Sequence, residues 1–165
     1  MTMALAAAAI RTRALADTGS GGLFYASGPL LKSFTFEYAP ATNSATPLTD
    51  IMPYVVFNFP AWEEDPTFNT DVQSVVCQFH LFLPRESGAN AASAILARIY
   101  GDGIAQTNRT PTYGFHRHAL SLGDTDVTAP WYASPMRRTS RNTAHERDVY
   151  HYIDSYDFNV YRVKL

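Results

Sequence analysis

The stretch 72–84, VQSVVCQFHLFLP, constrains the fold more than any other part of the chain. Val75, Cys77, Phe79, Leu81 and Leu83 occupy its odd positions and are apolar. Val72, Ser74, Val76, Gln78, His80 and Phe82 occupy the even positions and mix polar with apolar. A repeat of two belongs to a β-strand, whose successive side chains point to opposite faces. One face of this strand must therefore be buried. The other is neither core-like nor surface-like: such a face is a candidate for contact with another subunit, or else a surface over which the chain's own long loops fold. Gln78, His80 and Phe82 are its candidate contact residues.

Other extended segments accompany it. The run 51–59, IMPYVVFNF, sets Val55, Phe57 and Phe59 on one face and Tyr54, Val56 and Asn58 on the other. Pro53 lacks a donor and belongs at the strand start or on an edge. The polar connection 60–71, with Trp62, Glu63 and Glu64, reads as the long loop of a hairpin. A short strand is expected at 33–38, with Phe34 and Phe36 inward, followed by a Pro/Thr/Ser/Asn-rich loop at 39–50. The alternating run 113–122, YGFHRHALSL, predicts a further strand, and 123–147 a long irregular loop. Residues 148–163 are aromatic and extended, as one long bent strand or two shorter ones.

Two helices complete the set. In 88–100, Ala89, Ala92, Ile95, Leu96 and Ile99 cover an arc of about 100°, which suits a helix lying on a sheet. Ser87 or Asn90 can cap its start, and Gly101 can end it. Residues 3–16 are strong helix formers, and Leu5, Ala8, Ala9, Thr12, Leu15 and Ala16 share the side expected to face the sheet. The expected fold is one α+β domain spanning 1–165, mainly antiparallel, with both helices on one face and long loops near 39–50, 60–71 and 123–147.

Composition narrows the function classes. A net charge of −2 supplies no single-signed field for nucleic acid. Cys77 is the only cysteine, so no intrachain disulfide can form. Charged residues are 17% of the chain while Tyr and Phe number ten each, which leans toward an assembly subunit. The first apolar run has its arginines, Arg11 and Arg13, after it, the reverse of a secretory signal. A membrane span needs about 18 consecutive apolar residues, and no such run exists; a protein made in a cytoplasm is expected.

No motif announces a chemistry. His116 and His118 are two apart in the expected strand, on one face, with His145, His151 or Asp148 as possible further ligands. Exposed strand histidines are the commoner reading of such a pair. Cys77 and His80 are three apart in a strand and face opposite ways. There is no HExxH and no GxSxG, and the glycines around Ser20 lack the lysine of a phosphate loop. Glu63 and Glu64 read as an exposed acidic loop. Arg137, Arg138 and Arg141, flanked by Trp131 and Tyr132, point to protein contact more than to phosphate backbones. The acidic and basic segments are complementary, as adjacent copies in a ring require. No enzyme, metal or cofactor is expected.

The element order resembles a known family. A leading Ala/Leu-rich helix with Arg, then PYVVFNF, VQSVVCQFHLFLP, ASAILARIYGD and an aromatic last strand resemble the tail terminator, or tail-completion, proteins of long-tailed bacteriophages and gene transfer particles. The resemblance covers about the first 103 residues and, more loosely, the final strand. It implies a virion protein, made in the host cytoplasm, that forms a ring, a hexamer in that family. The ring caps the tail tube, ends its polymerisation and joins it to a head-completion or neck protein. DNA would be cargo passing through the lumen, and no membrane is involved. Alternatives are another neck component, such as a head-closure or adaptor ring, or a small metal-dependent or ligand-binding α+β protein.

Overall fold

The computed structural model describes residues 2–40, 48–66, 70–101, 113–126, 128–145 and 148–163. Its elements run α1 (Thr2–Leu15), β1 (Ser33–Phe36), a one-turn α2 (Leu48–Ile51), β2 (Tyr54–Pro66), β3 (Thr70–Pro84), α3 (Gly88–Tyr100), β4 (Tyr132–Ala133), β5 (Arg137–His145) and β6 (Val149–Val163). This is the α+β class: one curled sheet, antiparallel except where β1 pairs parallel with β2.

The alternating stretch is the central strand β3. It pairs antiparallel with β6 from Thr70↔Val163 to Pro84↔Val149 without a register break. β6 is thus one long strand. Val75, Cys77, Phe79, Leu81 and Leu83 are all buried, as the period of two requires. They share one core with Phe34, Val55, Phe57, Phe115, Tyr156 and the buried faces of both long helices.

β2 runs further than its composition suggests. The expected loop at 60–71 is instead the continuation of a hairpin: 61–66 pair with 71–76, across a bulge between Asn58 and Ala61. A bulge inserts an extra residue and restores the alternation one step out of phase. Phe59 and Trp62 therefore both turn toward the core. The segment 123–147 is likewise less irregular than expected. It contains β4 and β5, both paired with β6. Most of 39–50 lies outside the described residues, apart from α2 and what precedes residue 41.

α3 has the expected bounds, and its buried residues are Ala92, Ile95, Leu96 and Ile99. It makes no side-chain cap; a 3-10 turn, Arg85–Ser87, leads into it instead. Gly101, at φ 102°, ends it. α1 presents a different face from the one expected. Ala6, Ala7, Ala9, Ile10 and Ala14 are buried, whereas Ala8, Thr12, Leu15 and Ala16 are exposed. Ile10 is fully buried and the wheel left it off the core side; burying its branched side chain outweighs burying alanines. The two helices are joined through Arg98 of α3, which donates Nε–H to Asp17 Oδ2 at 2.7 Å. The Leu23 amide donates to the same carboxylate oxygen.

The expected strand at 113–122 is not one. It contributes a single bridge, Ala119 with Pro135, and otherwise turns, with Phe115 and Leu120 buried. Gly101 and Gly114, both at positive φ, pack backbone to backbone there.

Candidate functional site

The two faces of the sheet differ as the sequence of β3 implies. Opposite the core, the rows across β2, β3 and β6 read Tyr54–Phe82–His151, Val56–His80–Ile153, Asn58–Gln78–Ser155 and Ala61–Val76–Asp157. Most of these residues are half-buried, and Ser74, Asp157 and Asn159 are exposed. One end is covered by the chain itself. Met52, Tyr54 and Val149 are buried there, with Ile51, Val56 and Phe82 packed on them. Phe82 stacks on His151 at 4.2 Å between ring centres and on Tyr54 at 5.0 Å. Of the candidate contact residues, Phe82 is therefore already engaged within its own chain.

The middle of this face is polar and cross-linked. Gln78 Nε2 donates to Ser155 Oγ at 3.3 Å. His80 Nδ1 lies 3.0 Å from His151 Nε2, so one ring donates to the other. Burial pushes the His80 pKa below its ordinary value, and the neighbouring His151 adds to that.

The acidic and basic candidates sit on strands rather than loops, on opposite sides of the sheet with β3 and β6 between them. On β2, Trp62 Nε1 donates to Gln73 Oε1 at 3.2 Å, and Gln73 Nε2 donates to Glu64 Oε1 at 3.0 Å. Glu63 points to the opposite face and is exposed. Glu64 and Trp131 line one shallow depression of about 220 Å³ with Gln73 and Arg162. Trp131 is half-buried under the Arg162 guanidinium, 4.8 Å from its ring centre. Tyr132 stands 49% exposed, stacked on Tyr161.

The arginines are not a free basic loop. Arg138 lies 4.1 Å above the Tyr100 ring. Arg141 grips the buried Asp154. Arg137 is exposed and paired in register with Asp157.

His116 and His118 do not share a strand face. His116 stacks on Tyr100 at 4.3 Å, and its Nδ1 accepts from the Arg138 amide. His118 lines an apolar groove of about 600 Å³ with Leu5, Thr12, Arg13 and Leu122. Among the described residues no three His, Cys, Asp or Glu side chains gather as metal ligands. No described helix is long and apolar enough to cross a membrane.

Asp154 and Gln73, the buried polar residues that organise both edges, were not singled out by the sequence. Each sits at a core-facing position of a strand, where a polar residue is the available signal. No protein-family model matches this chain, and no curated protein matches it.

Proposed function

We propose that the chain is a structural subunit of a virus tail: a ring that caps the tail tube, stops its growth and joins it to the head-completion or neck proteins. The observation that carries this reading is the mixed polar and apolar character of the sheet's outer face. The sheet's inner face is sealed by α1 and α3. Its outer face, from Asn58 to Asp157, is a half-buried mixture of small polar and apolar side chains. Such a surface suits a partner of protein more than water or a small ligand. The motifs PYVVFNF, VQSVVCQFHLFLP and ASAILARIYGD fall on β2, β3 and α3, the hairpin-then-helix order on which the family resemblance rests. The work of such a protein is binding free energy, from ring closure and docking on the last tube ring.

A head-closure or adaptor ring of the neck is the second reading, since the same mixed outer face suits any ring of the connector. Native mass spectrometry and negative-stain images of the purified chain test the proposal. Closed rings of tail-tube diameter that halt tube-protein polymerisation are the expected result. Rings that bind a head-side protein and leave tube growth unaffected would favour the neck ring. A monomer at all concentrations, with no effect on tube growth, would remove both.

A further inference from the structure

Among the described residues the sheet ends at two edges that differ in charge. β1 pairs with β2 only from Tyr54 to Phe57. Beyond the bulge, no described strand lies beside the outer edge of 61–66. That stretch carries Glu63, Glu64 and Asp65. At the other side, the start of β5 is occupied. Arg117 N–H donates to the Met136 carbonyl at 2.7 Å, Met136 N–H to the His118 carbonyl at 2.9 Å, and Arg138 N–H to His116 Nδ1 at 3.2 Å. Past the bulge near Thr139, no described strand flanks 140–145. Arg141 lies within that stretch, and Arg137 and Arg138 lead into it.

We propose that a second copy of this chain pairs edge to edge with the first: 140–144 of β5 against 61–65 of the next copy's β2. The sheet then continues from copy to copy. Two different patches at opposite sides of one molecule make a heterologous contact, which closes into a ring when the rotation permits. The two stretches are equal in length. Each is bounded at one end by a bulge, and Pro60, which has no N–H, stops pairing beyond the β2 end. Unpaired strand edges are templates for added strands.

Direction and register follow from the fold. β2 and β6 run one way, and β3 and β5 the other. Rotation about an axis along the strands preserves direction, so β5 meets the neighbouring β2 antiparallel. Side chains of one face must meet side chains of the same face. Glu63 is on the outer face, as are Ser140, Asn142 and Ala144. Placing Glu63 opposite Asn142 brings Glu64 opposite Arg141 on the inner face and so pairs opposite charges across the junction.

This inference shares with the ring reading its dependence on self-association, and the test separates them. The full-length chain carrying both Glu63→Cys and Asn142→Cys is oxidised mildly and run without reductant. Cys77 is fully buried and stays silent. The expected result is a covalent ladder ending at the closed ring, with each single variant remaining monomeric because no second cysteine faces it across the junction. Hydrogen exchange on the unaltered chain supplies a second readout: 61–65 and 140–144 gain protection in the ring over the dilute monomer. Rings that form with neither ladder nor added protection would overturn the edge pairing and leave the ring reading standing. A chain that never associates would overturn both.

Discussion

Arg141 and Asp154 face each other across β5 and β6, joined by Nε–H to Oδ1 at 2.6 Å and Nη2–H to Oδ2 at 2.7 Å. Asp154 is only 1% exposed, whereas the Arg141 side chain is 35% exposed. The carboxylate is buried and the guanidinium half-solvated, so the pair acts as a plug at the edge of the core. Its charge-assisted, two-pronged geometry also raises the pKa of Arg141.

Removing the arginine leaves a buried charge without its partner. Arg141→Met is expected to destabilise the fold by about 3 kcal/mol, the low end for such a loss because solvent reaches the guanidinium. Urea unfolding of the variant against the parent measures it. A change under about 0.5 kcal/mol would mean that water replaces the arginine at no cost.

Tyr156 gives the opposite expectation. Its ring is fully buried between Phe79 and the strand pair, and its hydroxyl has no partner among the described residues. Burial raises its pKa, and the nearby Asp154 adds to that. Deleting an unsatisfied buried hydroxyl recovers its desolvation cost, so Tyr156→Phe is expected to stabilise by about 1 kcal/mol. A lower thermal midpoint in the variant would show that the hydroxyl is hydrogen-bonded in solution.

The Gly101–Gly114 contact tolerates no side chain. Gly114 sits at φ 75°, and a Cβ there would collide with the Gly101 backbone. Gly114→Ala is expected to cost at least about 2 kcal/mol, through both the clash and the left-handed backbone. A Gly28→Ala control, where nothing lies within 4 Å, is expected to be close to neutral. Equal stability of the two variants would refute the packing.

Acid should weaken the fold through histidine before it does so through carboxylates. Burial, with Arg13 adding to it, lowers the His118 pKa from 6.5 to about 4. The unfolded chain therefore binds the proton first. The stability that the neutral ring contributes is intact above pH 6.5 and is lost as pH falls from there toward 4. His80 and His116 are lowered too, and act with the same sign. Unfolding free energy measured across that window is expected to fall, and His118→Gln to flatten the slope in part. A slope unchanged in the variant would assign the effect to the other histidines.

The legible parts of this fold were those where side-chain chemistry repeats with the local period. The alternation of 75–83 and the Ala92–Ile95–Leu96–Ile99 arc led directly to β3 and α3. The missed strands are polar ones. β5 reads RRTSRNTAH, and its strand form comes from backbone pairing to β6, a relation between distant segments that no local pattern carries. The same holds for 61–66, held by 71–76. The 113–122 alternation misled because Phe115 is buried by packing on Phe79, 4.7 Å between ring centres, from a turn rather than a strand. At the candidate site, the charges of Glu64 and Arg141 were legible, but their engagement by Gln73 and Asp154 required the register.

The unbroken pairing of β3 with β6 also sets a demand on biosynthesis. Contacts such as Gln78 with Ser155 span 77 positions, so β3 leaves the ribosome long before its central neighbour has been translated. Until Val149 and the residues after it emerge, Cys77, Phe79 and Leu81 belong to a hairpin with a bare flank. Non-local pairing of this kind folds slowly and exposes sticky intermediates. Nascent chains halted before residue 149 should therefore be the species that aggregate or recruit chaperones.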